Sequence, residues 1–291
     1  LFFWITVFLL GIVLLGSKTL GAKRWLSFAG FNLQPSELAK ISLSSYLATL
    51  SFNGIKKNMA YFVPAGLVLI LVIIQPDMDT TMVLTASVGI IYWLSGASTK
   101  NLLYLIGVIL VAGMGLIFSS SYRMDRFMSM LNVTGDTLNT SYHAWQILIA
   151  VGSGGLFGTG LGQSRQKYGF LPEVAGDSIF AIIAEELGFI GGAILIGALL
   201  YVILRSLRAA ARAEDKFAQL FGAGLTAWLG AQILVNIFSI VGLIPLSGIT
   251  LPFISYGGSS LLITMATMGV ILKISKAENN SVPSRKNWKR S

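Results

Sequence analysis

The stretch SIFAIIAEELGFIGGAILIGALLYVIL, residues 178–204, decides the fold class. A helix needs about 20 mostly apolar residues to cross a bilayer, and this run exceeds that with only Glu185 and Glu186 charged. Seven further segments, about 1–17, 38–53, 61–75, 80–97, 101–119, 217–241 and 257–275, qualify or nearly do. The 291 residues are 54% hydrophobic and 11% charged, against about 25% charged in ordinary globular chains. Mean hydropathy is +0.75. So few charges cannot solvate a surface of this size. The sequence predicts an all-α polytopic membrane protein with eight transmembrane helices. One integral-membrane domain covers 1–275, with a large polar loop over about 120–177, and a disordered tail covers 276–291.

Several chemistries are excluded at once. With no cysteine there are no disulfides, thiolate metal sites or cysteine nucleophiles. The lone histidine, His143, rules out any two-histidine metal motif and reads as an interfacial hydrogen-bonding residue. Acid–base or metal chemistry therefore falls to the twelve acidic residues. The net charge of +9 is largely topology. With eight alternating spans, 13 of the 21 Lys and Arg residues collect on one side, from Lys56 and Lys57 to the tail. The positive-inside rule makes that side, and the C-terminus, cytoplasmic. Nucleic acid is not an expected partner. Glu37, Asp77, Asp79, Asp125, Asp136, Glu173, Asp177, Glu185 and Glu186 fall on the opposite side. Charges in or near a bilayer are costly, so this outer cluster is where chemistry is expected.

Four constellations stand out. In QPSELAK (34–40), Pro35 and Ser36 open a helix, and Glu37 and Lys40 share a face where they can pair. The bland alternative is a capped helix with a snorkelling lysine. The glycines of GSGGLFGTGLG (152–162) fit neither a P-loop nor GxGxxG, so they imply tight turns or close backbone approach, not a nucleotide. Asp177 directly precedes the longest apolar run and reads first as its N-cap, a role that does not exclude a catalytic one, with Glu185 roughly on the same face. LPFISYGGSS (251–260) reads as a turn entering a small-residue helix face.

Taken together, GAKRW (21–25), QPSELAK (34–40), QPD (75–77), GSGGLFGTGLGQSRQK (152–167), LPE (171–173), IFAIIAEELGFIGG (179–192) and LPFISYGGSS (251–260) resemble the SEDS family of FtsW, RodA and SpoVE. The QK-x-x-x-LPE and LPFISYGGSS wording is nearer FtsW than RodA. The resemblance implies a ten-helix fold, of which eight helices are present here. Because the chain starts at Leu1 inside an apolar run, it is expected to be N-terminally incomplete. The loop 120–177 then matches the family's large extracytoplasmic loop.

The implied activity is that of a peptidoglycan glycosyltransferase polymerising lipid II at the outer face of the bacterial cytoplasmic membrane, during division or elongation. The family's essential aspartate falls on Asp177, and its other motif residues on Glu37, Lys40, Arg24 and Asp77. Two departures mark this chain: Val174-Ala175-Gly176 replaces residue-His-Thr before Asp177, and Asp79 replaces the glycine of QPDLGT. In the expected mechanism Asp177 takes the proton of the attacking hydroxyl. Lys40, Arg24, Glu37, Lys167 and Ser255 bind or position the pyrophosphate-bearing substrate, and Glu173, Asp77 and Glu185 are supporting carboxylates. Magnesium or manganese is the cation such a pyrophosphate would bring, and no organic cofactor is expected. A class B penicillin-binding protein and membrane lipids are the implied partners. The rival readings are a lipid II flippase and a weakly active scaffold that recruits a transpeptidase.

Overall fold

The computed structural model describes residues 1–16, 23–28, 31–54, 58–118, 121–133, 141–167 and 176–281. Among them the chain forms α1 (Phe2–Val13), β1 (Leu26–Phe28), β2 (Phe31–Leu33), α2 (Pro35–Phe52), α3 (Asn58–Ile74), α4 (Met78–Leu94) and α5 (Thr99–Phe118). It continues with α6 (Ser121–Leu131), α7 (Tyr142–Ser153), α8 (Ile179–Arg212), α9 (Lys216–Ile240) and α10 (Gly258–Ser281). Each of the eight expected apolar segments is a helix. Among the described residues, α8, α9 and Gly258–Lys276 of α10 are long and apolar enough to cross a membrane, and α1, α4 and Met59–Ile74 are shorter apolar helices. The last helix runs to Ser281, beyond the boundary placed at 275.

Two features correct the all-α expectation. Leu26–Phe28 and Phe31–Leu33 pair as a short antiparallel hairpin, with Leu26 opposite Leu33 and Ser27 opposite Asn32. The segment taken as one polar loop also contains two helices, α6 and α7. The hairpin strands alternate side chains about Ser27 and Asn32, whose side chains meet at 2.7 Å.

The packing is inverted relative to a soluble protein. Large apolar side chains on α8 such as Phe189, Ile194, Leu200 and Tyr201 are exposed, while Ser36, Glu37, Lys40, Gln75, Asp77, Thr80, Gln232 and Asn236 are buried. Polar groups in lipid must find partners inside the bundle, and Lys40, Gln75, Asp77, Gln232 and Asn236 each hydrogen-bond within it. At the centre stands α9, packed against α4, α8 and α2. Trp228, Leu225 and Leu229 of α9 are fully buried.

The longest helix is broken. Gly188 in α8 has φ 68° and ψ −169°, so the helical hydrogen bonds across it cannot form. The glycine loop after α7 replaces them. Thr159 and Gly160 N–H groups donate to the Glu185 and Glu186 carbonyls at 2.9 and 3.0 Å. Phe189 and Ile190 N–H groups donate to Gly155 and Leu156 at 2.9 and 3.2 Å. Four backbone groups that a break would orphan in an apolar setting are thereby satisfied. Such proximity demands glycine: a Cβ at Gly158 would lie 2.1 Å from the Glu186 carbonyl oxygen, and one at Gly154 2.0 Å from that of Ala184.

Candidate active site

The buried floor of the site is an ion pair. Pro35 sets the first turn of α2, Glu37 follows at its positive end, and Lys40 lies one turn on. Lys40 Nζ is 2.7 Å from Glu37 Oε1 and 2.7 Å from Gln232 Oε1 on α9, and it stands 5.0 Å over the Trp228 ring. Gln232 Nε2 in turn donates to the Thr250 carbonyl at 2.9 Å, and the Thr250 and Ser260 hydroxyls meet at 2.6 Å. Glu37 Oε2 is buried with no hydrogen-bond partner. The pairing read from sequence is therefore present. Lys40 is only 1% exposed, so in this conformation its ammonium ties α2 to α9 and cannot touch a substrate.

A second layer joins the hairpin to the start of α4. Arg24 donates through Nε to the Gln75 carbonyl at 3.0 Å and through Nη2 to the Pro76 carbonyl. Two bonds engage only part of a guanidinium with five N–H groups. Asp77 is the N-cap of α4: its Oδ1 accepts from Thr80 N–H at 3.2 Å and its Oδ2 from the Thr80 hydroxyl at 2.9 Å. Gln34 Nε2 reaches the same Oδ2 at 3.2 Å. Asp79 accepts at Oδ2 from Gly248 N–H at 3.1 Å. That bond gives the departure from glycine at this position a physical role.

The segment between α9 and α10 is the wall these groups hold in place. Asp79 grips Gly248, Asn236 Nδ2 donates to the Ile249 carbonyl at 2.8 Å, and Arg126 of α6 donates to the Leu246 carbonyl at 3.1 Å. Ser255 Oγ accepts from Leu251 N–H at 2.7 Å and is buried, so it shapes the turn.

Asp177 sits against this wall. The N-cap position of α8 belongs to Ser178, and no side chain caps the helix. The capping reading of Asp177 is thus corrected: its carboxylate accepts from the Ser178 hydroxyl at 3.2 Å instead. Its carbonyl accepts from Asn236 Nδ2 at 3.0 Å, and its Oδ2 lies 3.9 Å from where a Cβ of Gly248 would be. Gly248 is therefore bonded to Asp79 and lies near Asp177. Arg24, Asp77, Asp79 and Arg126 share this end of the bundle, since Asp79 feels the charges of the other three.

Other expected site residues serve a different end. Glu185 accepts from the Ser164 hydroxyl at 2.5 Å and Arg165 N–H at 2.9 Å. Lys167 Nζ pairs with Glu186 at 2.8 Å and also donates to the Gly162 carbonyl at 2.7 Å. Both residues brace the glycine loop against the break in α8. Ser164 and Arg165 engage both carboxylate oxygens of Glu185. Glu173 lies outside the described residues. No cluster of three or more metal-ligating side chains occurs among the described residues. Gln232, Asn236 and Trp228 escaped the sequence reading. Their signal was a polar stripe at four-residue spacing, Trp228-Gln232-Asn236, in an apolar helix.

Comparisons with known proteins match this arrangement. The chain is 39% identical over 283 residues to stage V sporulation protein E of Bacillus subtilis (strain 168), spanning 94% of this chain and 77% of that protein. It is 37% identical over 284 residues to the probable peptidoglycan glycosyltransferase FtsW of Geobacter sp. (strain M18), spanning 94% and 76%. Among solved structures, a chain of "Structural coordination of polymerization and crosslinking by a peptidoglycan synthase complex" superposes with a TM-score of 0.78 at 25% identity, covering 95% of this chain and 80% of that one. The rod shape determining protein RodA of Thermus thermophilus superposes with a TM-score of 0.69 at 26% identity, covering 95% and 77%. The FtsW/RodA/SpoVE family model, described as "Cell cycle protein", matches residues 1–280, and the chain belongs to that family.

Proposed function

We propose that this protein is a peptidoglycan glycosyltransferase that polymerises lipid II at the outer face of the cytoplasmic membrane. Relatives named as probable peptidoglycan glycosyltransferases support the activity. The observation that carries the site is the placement of Asp177. Its carboxylate is not engaged in helix capping, and it sits beside the wall held by Asp79, Asn236 and Arg126.

In the proposed reaction the 4-hydroxyl of a GlcNAc attacks the anomeric carbon of the lipid-pyrophosphate donor from the opposite face. The new O4–C1 bond forms as the C1–oxygen bond to pyrophosphate breaks, with inversion. The hydroxyl proton passes to Asp177, and undecaprenyl pyrophosphate departs with the bonding electron pair. A positioned base of this kind contributes roughly 10²–10⁴-fold. Arg24, half-buried and with donors beyond its two carbonyl bonds, is the cation placed to meet the departing charge. Lys40, Glu37 and Gln232 act one layer below by holding α2, α9 and the 246–255 wall in register. The described carboxylates form no cage. A magnesium or manganese ion would therefore be held by one or two carboxylates together with the substrate's phosphates. Placing the basic α8–α9 turn and the C-terminus in the cytoplasm puts Asp177 outside. A class B penicillin-binding protein is the proposed partner, supported by the likeness to a chain of a complex that couples polymerisation to crosslinking.

The test is reconstitution in liposomes with labelled lipid II on both leaflets. Glycan strands resolved on a gel support the reading. Movement of lipid II between leaflets without polymer would establish the flippase instead.

A further inference from the structure

We propose that His143, acting through Ser178, is a positioning residue for Asp177: the imidazole Nε2–H donates to the Ser178 hydroxyl, which donates to Asp177 Oδ1. This inference rests on the reading of Asp177 as the base.

The geometry is a chain of donors. His143 Nε2 lies 3.0 Å from Ser178 Oγ, and Ser178 Oγ lies 3.2 Å from Asp177 Oδ1. A hydroxyl has one proton. With that proton directed at a carboxylate, the oxygen can only accept from the ring, so the neutral imidazole must carry its hydrogen on Nε2. Ser178 is fully buried and, although at the N-cap, makes no capping bond, so its hydroxyl is reserved for this link. The other side of Asp177 is fixed independently: Asn236 holds its carbonyl, and Oδ2 faces Gly248, which Asp79 anchors. One carboxylate oxygen, Oδ1, is thus restrained by two donors in series, from Ser178 and His143.

Among the described residues, the charged groups around the imidazole are Arg126 from α6 and, two bonds away, Asp177 at the head of α8. Asp79 on α4 lies within reach of Arg126. Burial, and then Arg126, push the His143 pKa below its ordinary value. The ring therefore stays neutral at physiological pH and keeps the single-donor tautomer. The sequence before Asp177 carries Ala175 and Gly176, which offer no side-chain donor, so the partner arrives from α7.

Because His143 is the only histidine in the chain, imidazole ¹⁵N NMR reads this link without any mutation to create a probe. In the protein held in nanodiscs, the expected wild-type ring is neutral and protonated on Nε2. Asp177→Asn should lower the imidazole pKa by several tenths of a unit or more, since a nearby negative charge favours the imidazolium. Ser178→Ala should erase most of that coupling and reduce the Nε2–H population. Polymerisation provides the second arm. His143→Leu should lower kcat about tenfold with KM little changed, and His143→Gln, which retains a donor at the Nε2 position, should recover most of it. An imidazole whose tautomer and titration ignore both Ser178→Ala and Asp177→Asn overturns the proposal. So does equal kcat for His143→Leu and wild type. If Asp177→Asn itself polymerises at the wild-type rate, it is the base assignment that fails, whatever the NMR shows.

Discussion

Lys40 and Glu37 show how little a sequence-visible pair reveals about its job. Their i, i+3 spacing was enough to predict contact, and the 2.7 Å bond is there. The spacing could not show that Gln232 and Trp228 close over the ammonium, because those residues come from a helix far along the chain. Removing one member of a buried pair leaves the other uncompensated, at a cost of about 3–5 kcal/mol. Lys40→Met is accordingly expected to lower the melting temperature in detergent by far more than Lys167→Met, whose salt bridge is partly exposed. Equal losses would contradict the assignment of Lys40 to the floor.

His143 carries a pH signature of its own. Its folded pKa is depressed by burial and by Arg126, below the ordinary 6.5. As pH falls through that value the unfolded chain takes up a proton that the folded chain resists, so stability drops with acidification. The expected result is a decline in thermal stability between pH 7.5 and 5.5 that is smaller in His143→Gln. No difference between the two proteins would count against the buried neutral ring.

At the scale of elements, long apolar runs announced helices, and a helix lies on each of those runs. What they missed is local and has physical causes. The hairpin at 26–33 is too short to give a strand signal. The break at Gly188 was invisible because a glycine within an apolar run is compatible with helix, and only the partner loop makes it a break. The glycines of 152–162 were legible as places of close approach, and that reading holds at Gly154 and Gly158. A methyl group at Gly158 must displace backbone that is hydrogen-bonded on both sides, at a φ of 82° that disfavours any side chain. Gly158→Ala should destabilise by at least the ~1–3 kcal/mol typical of overpacking, read as a thermal shift. Gly197→Ala on α8, where a Cβ meets nothing, should be near neutral. If both are silent, the loop does not brace the break.

For the molecule as a whole, the inverted distribution of polar and apolar side chains was predictable, because composition alone excludes a soluble surface. Which carboxylate carries chemistry was only half legible. Asp177 before an apolar run looks the same whether it caps or catalyses, and the difference is a matter of one residue in helix phase. Asp77, by contrast, does cap α4. From similar sequence settings, one aspartate caps its helix and the other does not. Orientation is the molecular-scale prediction: a cysteine introduced at Ser284, in this cysteine-free chain, should react with a membrane-impermeant maleimide only after cells are opened. Labelling of intact cells at that position would invert the topology and move Asp177 to the wrong side.

The central claim is that Asp177 is the base of a glycosyl transfer, and the most direct measurement is the steady-state rate of lipid II polymerisation by wild type and by Asp177→Asn, both shown to be folded. The expected result is a fall in kcat of about 10²–10⁴-fold with KM within a few-fold of wild type. A wild-type kcat from Asp177→Asn would contradict the account.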